Sequence, residues 1–235
     1  MLHCWYRLTM IRQRTALAVS VPAAIVVYAA MWVGYRENWA WLHGLDWSLL
    51  DAAHDAGVKH PLWVRFWDGL SFALGPVPLR VLGTVAAVAA AVKRNVRAAL
   101  VLMACGPLNG IVTSAAKALA NRPRPPTMLV PTPSTSFPSG HALEATALLL
   151  ALLAFGLPMV GRALGRVAIA LTALCLLAVG AARVALNVHY PSDVLAGWAL
   201  GYLYFLLALF VFRPFPMASA EAPKVTARDR TGPKP

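Results

Sequence analysis

The feature that most constrains this chain is the rhythm of its apolar runs. Six stretches almost free of charge, Thr15–Gly34, Val77–Val92, Ala98–Ala116, His141–Leu157, Val167–Ala182 and Val194–Phe212, alternate with short polar segments. A helix needs about 20 apolar residues to cross roughly 30 Å of hydrocarbon. In lipid every backbone polar group must also find a partner inside the protein, which favours helices. The runs therefore predict an all-α integral membrane protein, a six-transmembrane-helix bundle. The second and fourth runs fall short of the required length, and the pattern defines their ends least well.

Composition agrees: 59% of the 235 residues are hydrophobic and only 13% are charged, where a soluble domain carries about one quarter. The length suits one domain, expected over residues 1–213. The remainder, 214–235, is rich in Pro, Lys, Arg and small residues without apolar periodicity, and reads as a disordered cytoplasmic tail. The first run is too long for the apolar part of a signal peptide, so it reads as a retained span.

The cations orient the spans. Arg7, Arg12 and Arg14 precede the first; Lys93, Arg94 and Arg97 separate the second and third; Arg162 and Arg166 separate the fourth and fifth; Arg213, Lys224, Arg228, Arg230 and Lys234 follow the sixth. With six crossings all these groups share one side, which the positive-inside rule makes cytoplasmic. Both termini are then expected in the cytoplasm. The opposite side holds Tyr35–Pro76, where Trp39, Trp41, Trp47, Trp63 and Trp67 mingle with Asp46, Asp51, Asp55 and Asp68. Trp favours the membrane–water boundary. An interfacial helical segment is expected here between spans one and two, laying Leu49, Leu50, Ala53 and Ala56 on the bilayer.

The net charge of +12 raises the question of a polyanion partner. Nucleic-acid binders gather Lys and Arg in dense surface runs; here they sit in small groups between apolar stretches, so no nucleic acid is expected and an anion site is. Cys4, Cys105 and Cys175 form no C-x-x-C pair, which argues against both a disulfide framework and a thiolate metal site.

Three polar stretches carry chemistry: Lys117 to Pro125 (KALANRPRP), Phe137 to His141 (FPSGH) and Arg183 to Asp193 (RVALNVHYPSD). The first follows span three, the second opens span four and the third joins spans five and six, so all three meet on one face. The charge rule makes that face extracytoplasmic. Lys117 lies about 30 Å of helix beyond Arg97, one hydrocarbon thickness, which puts it at the boundary. Lys117, Arg122, Arg124 and Arg183 suit an anion, the arginines by forked donors that match phosphate oxygens. Ser139, Gly140 and His141 stand where a loop becomes a helix, whose free N–H groups favour an anion. Phosphoryl transfer needs a nucleophile and a proton for the leaving oxygen. Asp193, in the first turn of span six, is placed to bond one ring nitrogen of His189 and leave the other as nucleophile. His141 is then the general acid. Glu144, three residues after His141, is a further candidate; a bond to that histidine, a bond to a cation and a place in a polar cavity all remain open. Asn109 reads as helix–helix glue. Asn187 and Tyr190 either line the site or pack beside it.

These stretches resemble the motifs of the type-2 phosphatidic acid phosphatase superfamily, the lipid phosphate phosphatases, whose pattern is Lys-x6-Arg-Pro, Pro-Ser-Gly-His and Ser-Arg-x5-His-x3-Asp. Lys117, Arg124 and Pro125 match the first motif, Pro138 to His141 the second, and Arg183, His189 and Asp193 the third. The resemblance implies a metal-independent, cofactor-free phosphatase acting on a lipid phosphate or diphosphate through a phosphohistidine. It makes His189 the nucleophile, Asp193 its orienter and His141 the acid, with Lys117, Arg124, Arg183, Ser139 and Gly140 around the phosphate. Arg122 lies outside the pattern and is a further candidate for the phosphate. Ala182 stands where the family has Ser, which removes one neutral hydrogen bond worth about 0.5–1.5 kcal/mol.

Undecaprenyl diphosphate is the first substrate expectation, by family analogy; phosphatidic acid and phosphatidylglycerol phosphate also suit an outward site. A phosphotransferase would use the same residues, and Ala182 keeps open a catalytically impaired lipid-binding relative. A transporter would place its ionisable groups near the midplane rather than on one face. A vanadium haloperoxidase would share the anion cradle, but those resemble large soluble proteins. Oligomeric state is not encoded in any of these features.

Overall fold

The structure, a computed structural model, describes residues 2–213, with side chains from residue 15 onward. The expected tail, 214–235, and the side chains of Arg7, Arg12 and Arg14 lie outside the described residues. Among those described, all regular structure is helical: α1 (Leu2–Arg36), α2 (Ala40–Lys59), α3 (Pro61–Ala73), α4 (Pro76–Val92), α5 (Val96–Cys105), α6 (Asn109–Ala120), α7 (Gly140–Gly156), α8 (Arg162–Ala185) and α9 (Pro191–Val211). A short 3₁₀ turn, Leu157–Met159, follows α7.

Six segments are long and apolar enough to cross a membrane: Thr15–Arg36, Pro61–Val92, Val96–Ala120, Gly140–Met159, Arg162–Ala185 and Pro191–Val211. They fall on the six predicted runs, with two differences. The second segment begins at Pro61, not Val77, because α3 precedes α4. Its 32 residues would extend about 48 Å as one helix, beyond what the hydrocarbon requires, and it is interrupted at Leu74 and Gly75, with Pro76 starting α4. The third span is two helices. Pro107, which has no N–H to donate, lies in the break between α5 and α6. There Asn109 donates its side-chain N–H to the Cys105 carbonyl at 3.1 Å, so it bridges a local break rather than gluing two spans. A Cβ on Gly83 of α4 would sit 3.0 Å from the Gly106 Cα, so these backbones meet where the break occurs.

Helix α2 is the expected interfacial segment, but its inward face differs from the prediction. Leu42, Asp46, Leu50 and Gly57 are buried, and Leu50 is 0% exposed while Leu49 is 48% exposed. Leu50 therefore packs on the end of the bundle instead of the bilayer, and Trp41, Leu45 and Leu49 form the exposed apolar stripe.

At the centre, α7 packs most extensively on α9. The contact uses the Gly197-x-x-x-Gly201 spacing, which lets membrane helices approach closely. A Cβ on Gly197 would lie 2.7 Å from the Ser139 carbonyl oxygen, and one on Gly201 2.5 Å from that of Leu143. This approach sets the N-terminus of α7 beside that of α9. Deeper in the bundle Val101, Leu102, Cys105, Leu148, Ala151, Val179 and Phe205 form one apolar cluster. The outer surface carries Val19, Val26, Val81, Val85, Leu171 and Leu174 exposed, as a lipid-facing belt requires.

Candidate active site

Two chain turns and one backbone hydrogen bond bring the motif residues together. Asn121 ends α6 in the left-handed conformation, φ 47°, a C-terminal geometry that Asn tolerates, and sends residues 122–139 across the end of the bundle. Asn187, at φ 55°, turns the chain between α8 and α9. Its side chain donates to the Leu50 carbonyl at 2.9 Å and accepts from Thr127 Oγ1 at 2.7 Å, tying α2, the loop and the turn into one unit. The Ser139 N–H donates to the Asp193 carbonyl at 2.9 Å, joining the second motif to the third.

His189 is buried, with Nδ1 3.4 Å from Asp193 Oδ2 and Nε2 3.2 Å from Arg124 Nη1. A guanidinium only donates and a carboxylate only accepts. The neighbours therefore select the tautomer protonated at Nδ1, with the lone pair on Nε2. Burial, followed by the Arg183, Arg124 and Lys117 cations, holds the His189 pKa well below the ordinary histidine value of 6.5, so the ring is neutral at pH 7. Asp193, in the first turn of α9, accepts from the Tyr190 N–H at 2.9 Å and from Ser136 Oγ on one oxygen. Its other oxygen accepts from Arg122 Nη1 at 2.7 Å. Ser136 lies within 3.4 Å of His189 Nδ1 as well.

The other cations gather around this pair. Lys117 donates to the carbonyls of Thr135 and Ser136. Arg124 is bonded to the Ser134 carbonyl at 2.5 Å, to Ser134 Oγ at 3.0 Å and to the Val188 carbonyl. Burial lowers its pKa to about 10 against the opposing pull of Asp193, which leaves it cationic at neutral pH. Arg183 Nη1 donates to Ser71 Oγ at 2.6 Å, across to α3. Its Nε has no partner, nor does Ser139 Oγ, and both are buried. A Cβ on Gly140 would meet Thr113 Cγ2 at 2.8 Å, so glycine is what lets α6 and Lys117 reach the start of α7. His141 is in electrostatic reach of Arg183, His189, Arg124 and Lys117, and its Nε2 lies 3.1 Å from where a Cβ on Gly75 would stand.

Two candidates stand elsewhere. Arg122 is not free for an anion: its Nη1 donates to Ser192 Oγ and Asp193, both at 2.7 Å, and its Nη2 donates to Asp46 at 2.9 Å. The guanidinium is stacked 3.8 Å from the Tyr190 ring centroid and 4.7 Å from that of Tyr35. Burial opposes its charge, but Asp193 and Asp46 outweigh this and raise its pKa. Glu144 resolves to a cation, accepting both Nε (2.9 Å) and Nη2 (2.8 Å) of Arg80 on α4. Sequence reasoning assigned no role to Ser136, Ser71, Asp46 or Arg80. Asp46 appeared only as one acid among Trp residues, and none of the four falls in a motif.

Comparison with known proteins is decisive at the family level. The PAP2 superfamily profile matches residues 96–215, which contain α5 to α9 and all three motif stretches. The chain belongs to the PAP2 superfamily. The fold is also similar to the crystal structure of a transmembrane PAP2-type phosphatidylglycerolphosphate phosphatase from Bacillus subtilis. The TM-score is 0.68 at 22% identity, covering 82% of this chain and 95% of that one. PAP2 membership supports phosphatase activity, and the six apolar segments with a transmembrane PAP2 fold support a multi-pass membrane protein.

Proposed function

We propose that this PAP2 protein hydrolyses a lipid phosphomonoester or prenyl diphosphate through a phosphohistidine on His189. The observation that carries the reading is the arrangement of the motif residues: Nδ1 of His189 faces Asp193, Nε2 holds the lone pair, and Arg183 Nε and Ser139 Oγ are buried donors without a partner. An unpaired buried donor costs about 1–3 kcal/mol, and a phosphate oxygen relieves that cost. In the first step the Nε2 lone pair attacks phosphorus, the bond from phosphorus to the lipid or bridging oxygen breaks, and His141 gives that oxygen its proton. Water then attacks phosphorus and gives its proton to His141, the P–N bond breaks with its electron pair returning to Nε2, and inorganic phosphate leaves. Lys117, Arg124, Arg183, Ser139 and the backbone at Gly140 hold the equatorial oxygens, where preorganised donors act on developing charge. No metal ion is needed, because these cations supply the positive field.

Undecaprenyl diphosphate is the leading substrate in this reading; phosphatidic acid and phosphatidylglycerol phosphate, the latter named for the Bacillus subtilis relative, are the competitors. The catalytic unit is residues 1–213. The cation distribution supports an extracytoplasmic site with both termini in the cytoplasm.

The test is phosphate release by the purified protein, in EDTA, from those three lipids. The expected result is release without metal, fastest from undecaprenyl diphosphate, with an acid-labile phosphoenzyme trapped on rapid quench. No release from any of them by folded protein removes the hydrolase reading. A cysteine introduced between 127 and 135 is expected to label from outside intact cells; labelling only after permeabilisation reverses the topology.

A further inference from the structure

The buried ion chain beside His189 reaches into the interfacial helix. Asp46 of α2 is 1% exposed. Its Oδ1 accepts the Ser192 N–H at 2.9 Å, and its Oδ2 accepts Ser192 Oγ at 2.6 Å and Arg122 Nη2 at 2.9 Å. Arg122 then donates to Asp193 Oδ1 at 2.7 Å, and the other oxygen of Asp193 faces His189. We infer that Asp46 and Arg122 are positioning residues for the reaction, forming a relay that sets the orientation and charge of Asp193 and makes α2 part of the catalytic arrangement. The inference rests on the reading of His189 as nucleophile.

The geometry favours this over a plain structural strut. A strut needs one good bond, whereas here one forked cation bridges two carboxylates, a match that Arg makes and Lys does not. The Tyr190 and Tyr35 rings also lie against the guanidinium, with centroids 3.8 and 4.7 Å away. Asp46 holds the first turn of α9 as well, so it positions both the carrier of Asp193 and the cation that neutralises it. Breaking a buried pair by removing one partner leaves the other charge uncompensated, and for Arg122 that charge is Asp193, 3.4 Å from the nucleophile's ring.

The charged and titratable groups around His189 are Asp193 on α9, Arg183 on α8, Lys117 on α6, His141 on α7, and Arg124 and Arg122 on the loop, with Asp46 on α2 behind Arg122. The acid limb of kcat/KM follows protonation of the nucleophile. Arg122→Gln removes a cation, leaves Asp193 less neutralised, favours the imidazolium and moves the limb to higher pH. Asp46→Asn removes an anion and moves it to lower pH.

The experiment measures kcat, KM and the pH profile for R122Q, D46N, R122K and H189A, each confirmed monodisperse in detergent. R122Q and D46N are expected to lower kcat by about tenfold to a hundredfold, the range seen when the partner behind a metal-bound histidine is removed. KM is expected within about twofold of wild type, with the two limbs displaced in opposite directions by roughly half a unit or more. R122K, which keeps the charge and loses the fork, is expected to lower kcat with its limb near that of wild type; if R122Q does not fold, R122K and D46N carry the test. Limbs that stay in place, or move the same way, while H189A is inactive overturn the relay alone. Turnover by H189A overturns the nucleophile reading and the relay with it.

Discussion

The two flanks of His189 are built differently. On the Asp193 side every carboxylate oxygen is occupied: Tyr190 N–H and Ser136 meet one, Arg122 the other, and Asp46 closes the chain. Among the groups assigned to the phosphate, Arg183 Nε and Ser139 Oγ are buried without a partner, as is Thr113 Oγ1, one turn of α6 before Lys117. One flank is complete in itself and the other has donors left over. An orienting group must be held before substrate arrives, whereas a receiving group keeps its donors for the substrate. The contrast separates the residues that set the nucleophile from those that grip the phosphate.

His189→Ala is expected to reduce turnover by at least about 10³-fold, since a nucleophile cannot be replaced by binding groups alone, while the detergent-solubilised protein keeps its melting temperature. Residual turnover near wild type would end the division into two flanks, because neither would then face the reacting atom. Next in size, Arg183→Ala removes the receiving flank's buried fork and is expected to cost about 10²–10³-fold in kcat/KM, the range for one preorganised transition-state donor. A change below threefold would show that Lys117 and Arg124 hold the phosphate without it.

The His189 pKa is depressed by burial first and then by Arg183, Arg124 and Lys117. The ring is therefore the free base above its lowered value, and kcat/KM is expected to hold its plateau down past 6.5 and to fall only below it. In Arg183→Ala one of those cations is gone, so the limb moves up towards 6.5. A wild-type limb at or above 6.5 would mean that Asp193 outweighs burial and the cations together. The smallest effect is expected from Ala182→Ser, which restores the family's hydroxyl beside Arg183. One neutral hydrogen bond is worth about 0.5–1.5 kcal/mol, so kcat/KM should rise by no more than about tenfold. A fall instead would show that Ala182, fully buried, leaves no room for the extra oxygen.

What the sequence displayed depended on how local each feature is. The six spans were legible because hydrocarbon demands length and apolarity from each segment separately. The motif stretches were legible because each packs its polar residues within a dozen positions. The break at Pro107 had a visible local cause in Gly106-Pro107, yet the run was read as continuous because apolarity persists through it. Asp46 with Arg122 and Arg80 with Glu144 were not legible. Partners 76 and 64 residues apart have no shared periodicity, and their meeting depends on how the helices dock. Helix α2 shows the same limit: its pattern revealed a face, but not that the bundle rather than the lipid would cover Leu50.

The unmatched donors on the Arg183 side have a thermodynamic consequence that is independent of turnover. A ligand that binds only the folded protein raises its stability by RT ln(1 + [L]/Kd), about 2.7 kcal/mol at one hundred times Kd. Here such a ligand also relieves the desolvation of Arg183 Nε and Ser139 Oγ. Orthovanadate, inorganic phosphate and non-hydrolysable lipid phosphonates should therefore each delay heat denaturation in proportion to how well they satisfy those two atoms. A melting curve then becomes a substrate-ranking assay, one that works even on a variant whose chemistry has been switched off.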